Sequence, residues 1–584
     1  MVGPRTATCV VFATVLAGLA AAQDSCRKPM RFGELPGGDS YAFVPDDRPG
    51  IPEACHADGS RLVPVRIRPL VPERYPEELV PLVVVKSPDA VPSGIAFDGR
   101  RLWVGGRKTG RIYFLDPATG KPAGSMPAPG RFPTGLAWDG GRMWHTDART
   151  RKLYCIRGRK VQREFPLAWH CVGVAATTDG LVIGDWESDR FRLVSPATGK
   201  VLREFPAPDP RMFGLTADGD RLWCAYRDCL IVQDRARHLP AACFSVAGRR
   251  PEGVGLAGVE VVGETLWLSD FRSRRLVRIA APRHGRRIAA HGHEREATFS
   301  MTVRNAGQED WKPFELLWNV AIYEMPGQRF RSYDIRPEPV AHYRDADGNL
   351  HALFRREKLG KGEAFAVKAT ARLWSADRWT YLDPNRSRGE LPEPLRRMLG
   401  PDYPRRRPVR HPLVQQFVKK AVGQETNPYW KLRAVHDALI DRVVYVQPPD
   451  ESVPGLLRTG KGVCRNFSAA LETLGRAAGV PVLDAWAPKH NLTCAYLPGA
   501  GWAFVEVTAN NGGETTSRRR RSLWFGGVPG KQLTTGVAGP CIHQAVTVAG
   551  RPFTNQRHCR LPAGLQGFRE TDAWTNQAVE PTGK

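Results

Sequence analysis

Between residues 82 and 280 apolar and polar positions alternate in short runs, broken by Asp-Gly and Asp-Pro pairs, as in strands joined by tight turns. The runs recur. PSGIAFDGRRLWVGG (92–106), PTGLAWDGGRMWHTD (133–147), CVGVAATTDGLVIGD (171–185), MFGLTADGDRLWCAY (212–226) and GVGLAGVEVVGETLWLSD (253–270) keep one order of small, apolar and turn residues. Their inner glycines, Gly94, Gly135, Gly173, Gly214 and Gly255, are spaced by 41, 38, 41 and 41 residues. Each unit has room for four strands, and a period of about 40 with that strand count predicts a β-propeller. The fifth unit stops near Ile279 without a fourth strand, whereas LVVVKSPDAVPSG (82–94) has the form of the fourth strand that precedes each later unit. The N-terminal strand is therefore expected to complete the last blade and leave no exposed edge. Five blades are expected, with six as the alternative. Trp103, Trp144 and Trp223 hold equivalent strand positions and read as core. His145, Asp147, Asp185, Trp186 and Asp270 fall at equivalent strand ends and form a candidate site at one mouth of the channel.

Strand patterning returns in ATFSMTV (297–303), NVAIYEMP (319–326), AHYRDADGNLHALFR (341–355) and AFAVKATARLW (364–374), with Asp345–Gly348 as a hairpin turn. A Pro- and Arg-rich linker follows. The period then changes to that of helices. Leu413–Val422 is one. Asn427-Pro428 supplies an N-cap and first-turn proline for the next, with Leu432, Val435, Leu439, Ile440 and Val443 as its apolar stripe. In a third, opened by Cys464, Phe467, Leu471, Leu474 and Ala478 share one face, and Gly479 and Pro481 stop it. HNLTCAYL, PGAG and WAFVEV (490–507) then read as a tight hairpin.

This stretch carries the chemistry. Cys464 sits in the first turn of its helix, where the partial positive charge favours the nucleophilic thiolate. His490 is the candidate base and Glu506 the acceptor that orients it, placed by the hairpin on adjacent strands. His436 reads as structural, and His543 matches no motif.

The motifs GVC (462–464), RAAGVP (476–481) and YLPGAGW (496–502), followed four residues later by Glu506, resemble the transglutaminase-like cysteine hydrolases, a papain-like arrangement. The resemblance runs from about Leu413 to Ala538 and includes a trailing LWFGGVPGKQLTTG (523–536). It implies an α+β core with a Cys464–His490–Glu506 triad acting on amide or peptide bonds, without a cofactor. Two positions depart from the family: its closing Asp is Glu506, and its Ala-Trp after the His is Asn491-Leu492. At repeat level 82–280 resembles the NHL, YncE-like and glutamine-cyclotransferase-like propellers, and a β-rich segment before the catalytic core resembles bacterial transglutaminase-like proteins.

Composition changes this picture in three ways. Arg5, the apolar run Cys9–Leu19 and Ala20–Ala22 have the form of a secretory signal, too short to span a bilayer, so a secreted or periplasmic chain without a later membrane segment is expected. The formal charge of +26, spread along the chain, suits either an anionic polymer such as a cell-wall component or an arginine-rich proteome. No nucleic-acid module is recognisable, and Arg518–Arg521 reads as a solvated loop. Of 12 cysteines, ten remain once Cys9 and Cys464 are set aside, which in an exported chain suggests disulfides such as Cys26–Cys55, Cys229–Cys243 and Cys541–Cys559. No CxxC or histidine cluster suggests a metal.

The chain thus reads as multidomain: a signal (1–22), an irregular arm (23–81), a propeller (82–285), a β-rich domain (286–382), a linker (383–412), a transglutaminase-like α+β core (413–545) and a tail of little periodicity (546–584). The function implied is amide or peptide acyl transfer on a protein or peptide, with hydrolysis ahead of transfer to a lysine amine and the propeller as a binding platform. The alternative is a non-catalytic exported binding protein.

Overall fold

The computed structural model describes residues 43–52, 62–67, 81–245, 255–320, 327–345, 349–401, 407–447, 452–487, 490–508, 525–528, 536–537, 542–548, 551–556 and 568–578. The signal, Arg518–Arg521 and the pairs Cys26–Cys55 and Cys541–Cys559 lie outside these residues.

Five four-stranded antiparallel sheets form the propeller. Four are consecutive in sequence, over 92–127, 133–166, 171–206 and 214–245. The fifth takes three strands from 256–280 and its outer strand from Val83–Lys86, with Leu276 opposite Val85. The expected closure by the N-terminal strand is therefore present. The inner strands touch cyclically, the fifth against the first.

Glycine makes this tight ring possible. A Cβ on Gly94 would lie 2.7 Å from the Leu136 nitrogen, and one on Gly135 would lie 2.7 Å from the Val174 nitrogen. Such approaches exclude any side chain. The fifth member differs from the expected one. A Cβ on Gly214 would meet Gly258 Cα at 2.6 Å, so Gly258 completes the ring in place of Gly255. Gly255 instead donates its N–H to Asp270 Oδ1 at 3.0 Å.

Trp103, Trp144 and Trp223 are core, as expected. The strand-end carboxylates are engaged in turns. Asp147 accepts from the backbone N–H groups of Phe132, Arg149 and Thr150, and Asp270 from those of Gly255, Arg272 and Ser273. His145 is fully buried against the Pro129 and Gly135 carbonyls. The expected Cys229–Cys243 disulfide is absent, because Cys229 is a free thiol. Register explains this: Cys229 stands opposite Ser245 and Cys243 opposite Ile231. Such a diagonal places Cα atoms about 7–8 Å apart, beyond disulfide reach.

The β-rich region is a sandwich whose sheets take in strands from the α+β core and from both ends of the chain. Its two long strands, Arg287–Asn305 and Ala364–Thr380, pair along their length. From Ala364 to Arg372 the second alternates exposed and buried residues, and from Leu373 to Ala376 it is buried on both faces. There it leaves the sandwich, and Arg378 and Trp379 pair with Val528 and Gly527. The strand Phe525–Val528 in turn pairs with Gly501–Val505, so one nine-stranded sheet runs from the sandwich into the α+β core. The opposing seven-stranded sheet contains Phe43–Pro45 and Val63–Ile67 from the expected irregular arm. The C-terminal segment, expected to lack periodicity, also forms strands: Ile542–Val548 and Arg551–Gln556 join this sheet, and Phe568–Ala578 pairs with Arg287–Asn305. Ala341–Arg344 and Leu350–Arg356 pair as expected around a turn whose tip lies outside the described residues.

The helices follow their patterns: Pro412–Val422, Pro428–Arg442 capped by Asn427, and Cys464–Ala477. Phe467, Leu471 and Leu474 pack with Leu432, Val435 and Leu439 and with Val482, Ala495 and Val505 of the sheet. The expected linker is fastened to this unit, with Arg407 Nε donating to the buried Glu472 at 2.9 Å. The propeller rests on the same unit. Tyr429 Oη donates to the Ala241 carbonyl at 2.6 Å, and His284 Nε2 donates to Pro498 O at 3.0 Å in the turn of the 490–507 hairpin. None of the helices among the described residues is long and apolar enough to cross a membrane.

Candidate active site

Cys464 is the first residue of its helix and is half-buried. The preceding Val463 donates its N–H to Asn466 Oδ1 at 3.0 Å, which pins the turn that presents the thiol. His490 begins the strand His490–Leu497, and Glu506 directly follows its partner strand Gly501–Val505. The alternation of that hairpin puts both side chains on one face.

His490 interacts with both of the others. His490 Nε2 lies 2.6 Å from Glu506 Oε2, which leaves Nδ1 for the Cys464 thiol that bonds the same ring. Glu506 is fully buried, and its Oε1 also accepts the Thr508 N–H at 2.8 Å. Burial would raise the Cys464 thiol, but the His490 hydrogen bond, the Asn491 and Arg465 N–H groups and the His490 charge together hold it below its usual value. Burial would lower His490, but its bonds to Cys464 and Glu506 and their charges carry it up to about 9. Both directions favour a thiolate–imidazolium pair. Cys494, buried on the same hairpin, is the contrast: desolvation pushes its thiol well above the usual value.

Tyr445 escaped the sequence reading. It lies on the two-residue strand Val444–Tyr445, which pairs with Lys461–Gly462 just ahead of the cysteine. Burial and the charge of the neighbouring Cys464 raise the pKa of its hydroxyl. The residue is 49% exposed. The rival histidines stand elsewhere. His436 is buried, bonded to Asp437 at 2.8 Å, and His543 falls in a strand of the seven-stranded sheet. Among the described residues no group of His, Cys, Asp and Glu is arranged to hold a metal ion.

Residues 415–510 match the transglutaminase-like superfamily. No curated protein matches the chain. Among solved structures, one from Cytophaga hutchinsonii described as a candidate cysteine protease aligns over 51% of this chain and 94% of its own, at 14% identity and a TM-score of 0.34. Myxococcus xanthus glutaminyl cyclase aligns over 35% of this chain and 97% of its own, at 14% identity and a TM-score of 0.31. Residues 415–510, which hold Cys464, His490 and Glu506, are thus a transglutaminase-like domain.

Proposed function

We propose that the protein is an exported cysteine enzyme that breaks amide or peptide bonds through an acyl-thioester on Cys464. One observation carries this reading: the 2.6 Å His490–Glu506 bond beside a Cys464 thiol held below its usual value and an imidazole raised to about 9. The thiolate attacks the carbonyl carbon. The oxygen gains charge beside the Cys464 backbone N–H at the helix N-terminus, the natural oxyanion donor. The His490 imidazolium gives its proton to the leaving amine. Neutral His490 then takes a proton from water, which attacks the thioester and releases the acid. Glu506 holds the ring and offsets its charge. A lysine amine in place of water would make the second step a transfer. The propeller serves as the binding platform, and the substrate is a protein or peptide outside the cytoplasm.

The competing reading is a non-catalytic exported binding protein. In its favour is Tyr445, whose hydroxyl lies beside the thiol that an enzyme would use. Iodoacetamide labelling at mildly acidic pH separates the two. The enzyme reading requires Cys464 to react faster than a free thiol there, and equal rates would remove the activated nucleophile.

A further inference from the structure

At the end of the channel where each blade's second strand turns into its third lies a cavity of about 420 Å³. Arg107, Phe132, Thr134, Arg149, His170 and Trp186 are among the residues that line it. We propose that this cavity binds a small oxyanion, a carboxylate or a phosphate, carried on a flat apolar body. This deepens the platform reading of the propeller and does not depend on the chemistry at Cys464.

The argument begins with Arg107. It directly follows the strand Leu102–Gly106, and Arg149 holds the matching turn of the next blade, two residues past Asp147. Two neighbouring blades therefore bring a guanidinium to one cavity. The Arg107 Nε makes one long bond, 3.4 Å, to the Pro133 carbonyl, and the guanidinium stands 5.6 Å from the Phe132 ring centroid. Its two Nη groups have no partner among the described residues. Burial pulls its pKa down to about 10. Arg107 is half-buried with its guanidinium open to the cavity, so a ligand oxyanion there would pair with a cation that no carboxylate among the described residues bonds.

None of the surrounding carboxylates bonds Arg107 among the described residues. Asp89 accepts from the N–H groups of Val91, Lys108 and Thr109. Asp147 is held by three backbone N–H groups, and Asp185 by Arg192 at 2.8 Å. Glu187 at the rim is bonded to His170 Nδ1 at 2.6 Å. The remaining walls are apolar: Phe132, Val172 and Trp186, whose ring is set edge-on against Phe213 at 4.8 Å. The volume falls in the range of small-molecule sites, about 300–1,000 Å³. A planar guanidinium grips a carboxylate or phosphate through two parallel hydrogen bonds, and the aromatic walls suit a flat body behind it.

The test is calorimetric titration of the full chain, carrying Cys464→Ala, with phenyl phosphate, N-acetylphenylalanine and N-acetylphenylalanine amide. Both anions should bind, and the neutral amide should bind at least about tenfold more weakly, as should both anions to Arg107→Met. The tighter of the two anions identifies phosphate or carboxylate as the natural oxyanion. Arg149→Ala alters an exposed side chain and should weaken both anions severalfold, so a misfolded Arg107→Met leaves the question answerable. Equal affinity for amide and acid, or no heat from either anion at about 10 mM, would overturn the proposal. Unchanged binding by both arginine variants would do the same. Because Cys464 is absent throughout, failure here leaves the enzyme reading untouched.

Discussion

Nε2 of His490 stands 2.6 Å from Oε2 of the fully buried Glu506. The longer side chain thus reaches the imidazole where the family has an aspartate. Glu506→Gln keeps the shape and removes the charge that supports the imidazolium. Acylation should fall on the order of 10³-fold with the fold intact. Glu506→Asp should retain substantial activity, reduced by its shorter reach. Rapid-quench acylation rates with circular dichroism as the fold control decide this, and a wild-type rate for Glu506→Gln would leave a Cys–His dyad.

The pH profile follows from the two shifts. The thiol is an acid held below its usual value, so alkylation should switch on as pH rises through a value below the roughly 8.5 of a free cysteine. His490 is a base raised to about 9, so the proton for the leaving amine persists until pH approaches that value and is lost above it. Turnover should therefore be bell-shaped, with its alkaline limb near 9. In Glu506→Gln that limb should move to lower pH, because the charge that raises His490 is gone. An alkaline limb unmoved in this variant would count against the pairing.

Tyr445 lies beside Cys464, close enough for their titrations to influence one another. A substrate carbonyl approaching the Cys464 N–H meets this hydroxyl as a competitor. Tyr445→Phe removes the competitor, so kcat/KM should rise by up to about tenfold, the equivalent of one hydrogen bond of about 1.4 kcal/mol. A fall of similar size would instead assign the hydroxyl to the oxyanion as a donor. Steady-state kinetics with one peptide amide gives the sign.

The glycine ring predicts a sharp contrast within one blade. Gly135→Ala would drive a methyl to 2.6 Å from Thr146 Oγ1 and 2.7 Å from the Val174 nitrogen. It should cost about 3 kcal/mol, as overpacking against backbone does. Gly141→Ala, with nothing within 4 Å, should be nearly silent. Chemical denaturation of the pair measures the difference.

Much of this was legible because the signals were periodic. Five repeats gave five blades, and a missing fourth strand gave their closure. Cys464, His490 and Glu506 were legible because helix start and hairpin alternation are local patterns. The misses share a cause in non-local pairing. GVGLAG offers three glycines, and only contact with Gly214 and Ser93 selects Gly258 over Gly255. Tyr445 lies on a two-residue strand that has no period to read. Cys229 and Cys243 are close in sequence, but their register separates them. Strand Phe568–Ala578 finds its partner more than 260 residues earlier, which no window of sequence displays.

The strand Ala364–Thr380 belongs to two domains at once. A gene fragment encoding 413–545 alone would therefore leave the Phe525–Val528 edge without the backbone that covers it. Unpaired strand edges recruit other chains, so that fragment should precipitate or form ladders of itself. The same continuity makes evolutionary transfer of the catalytic unit costly: it cannot be shuffled as a cassette unless its neighbouring sandwich travels with it. Activity and sandwich integrity should then melt together, as one inheritance.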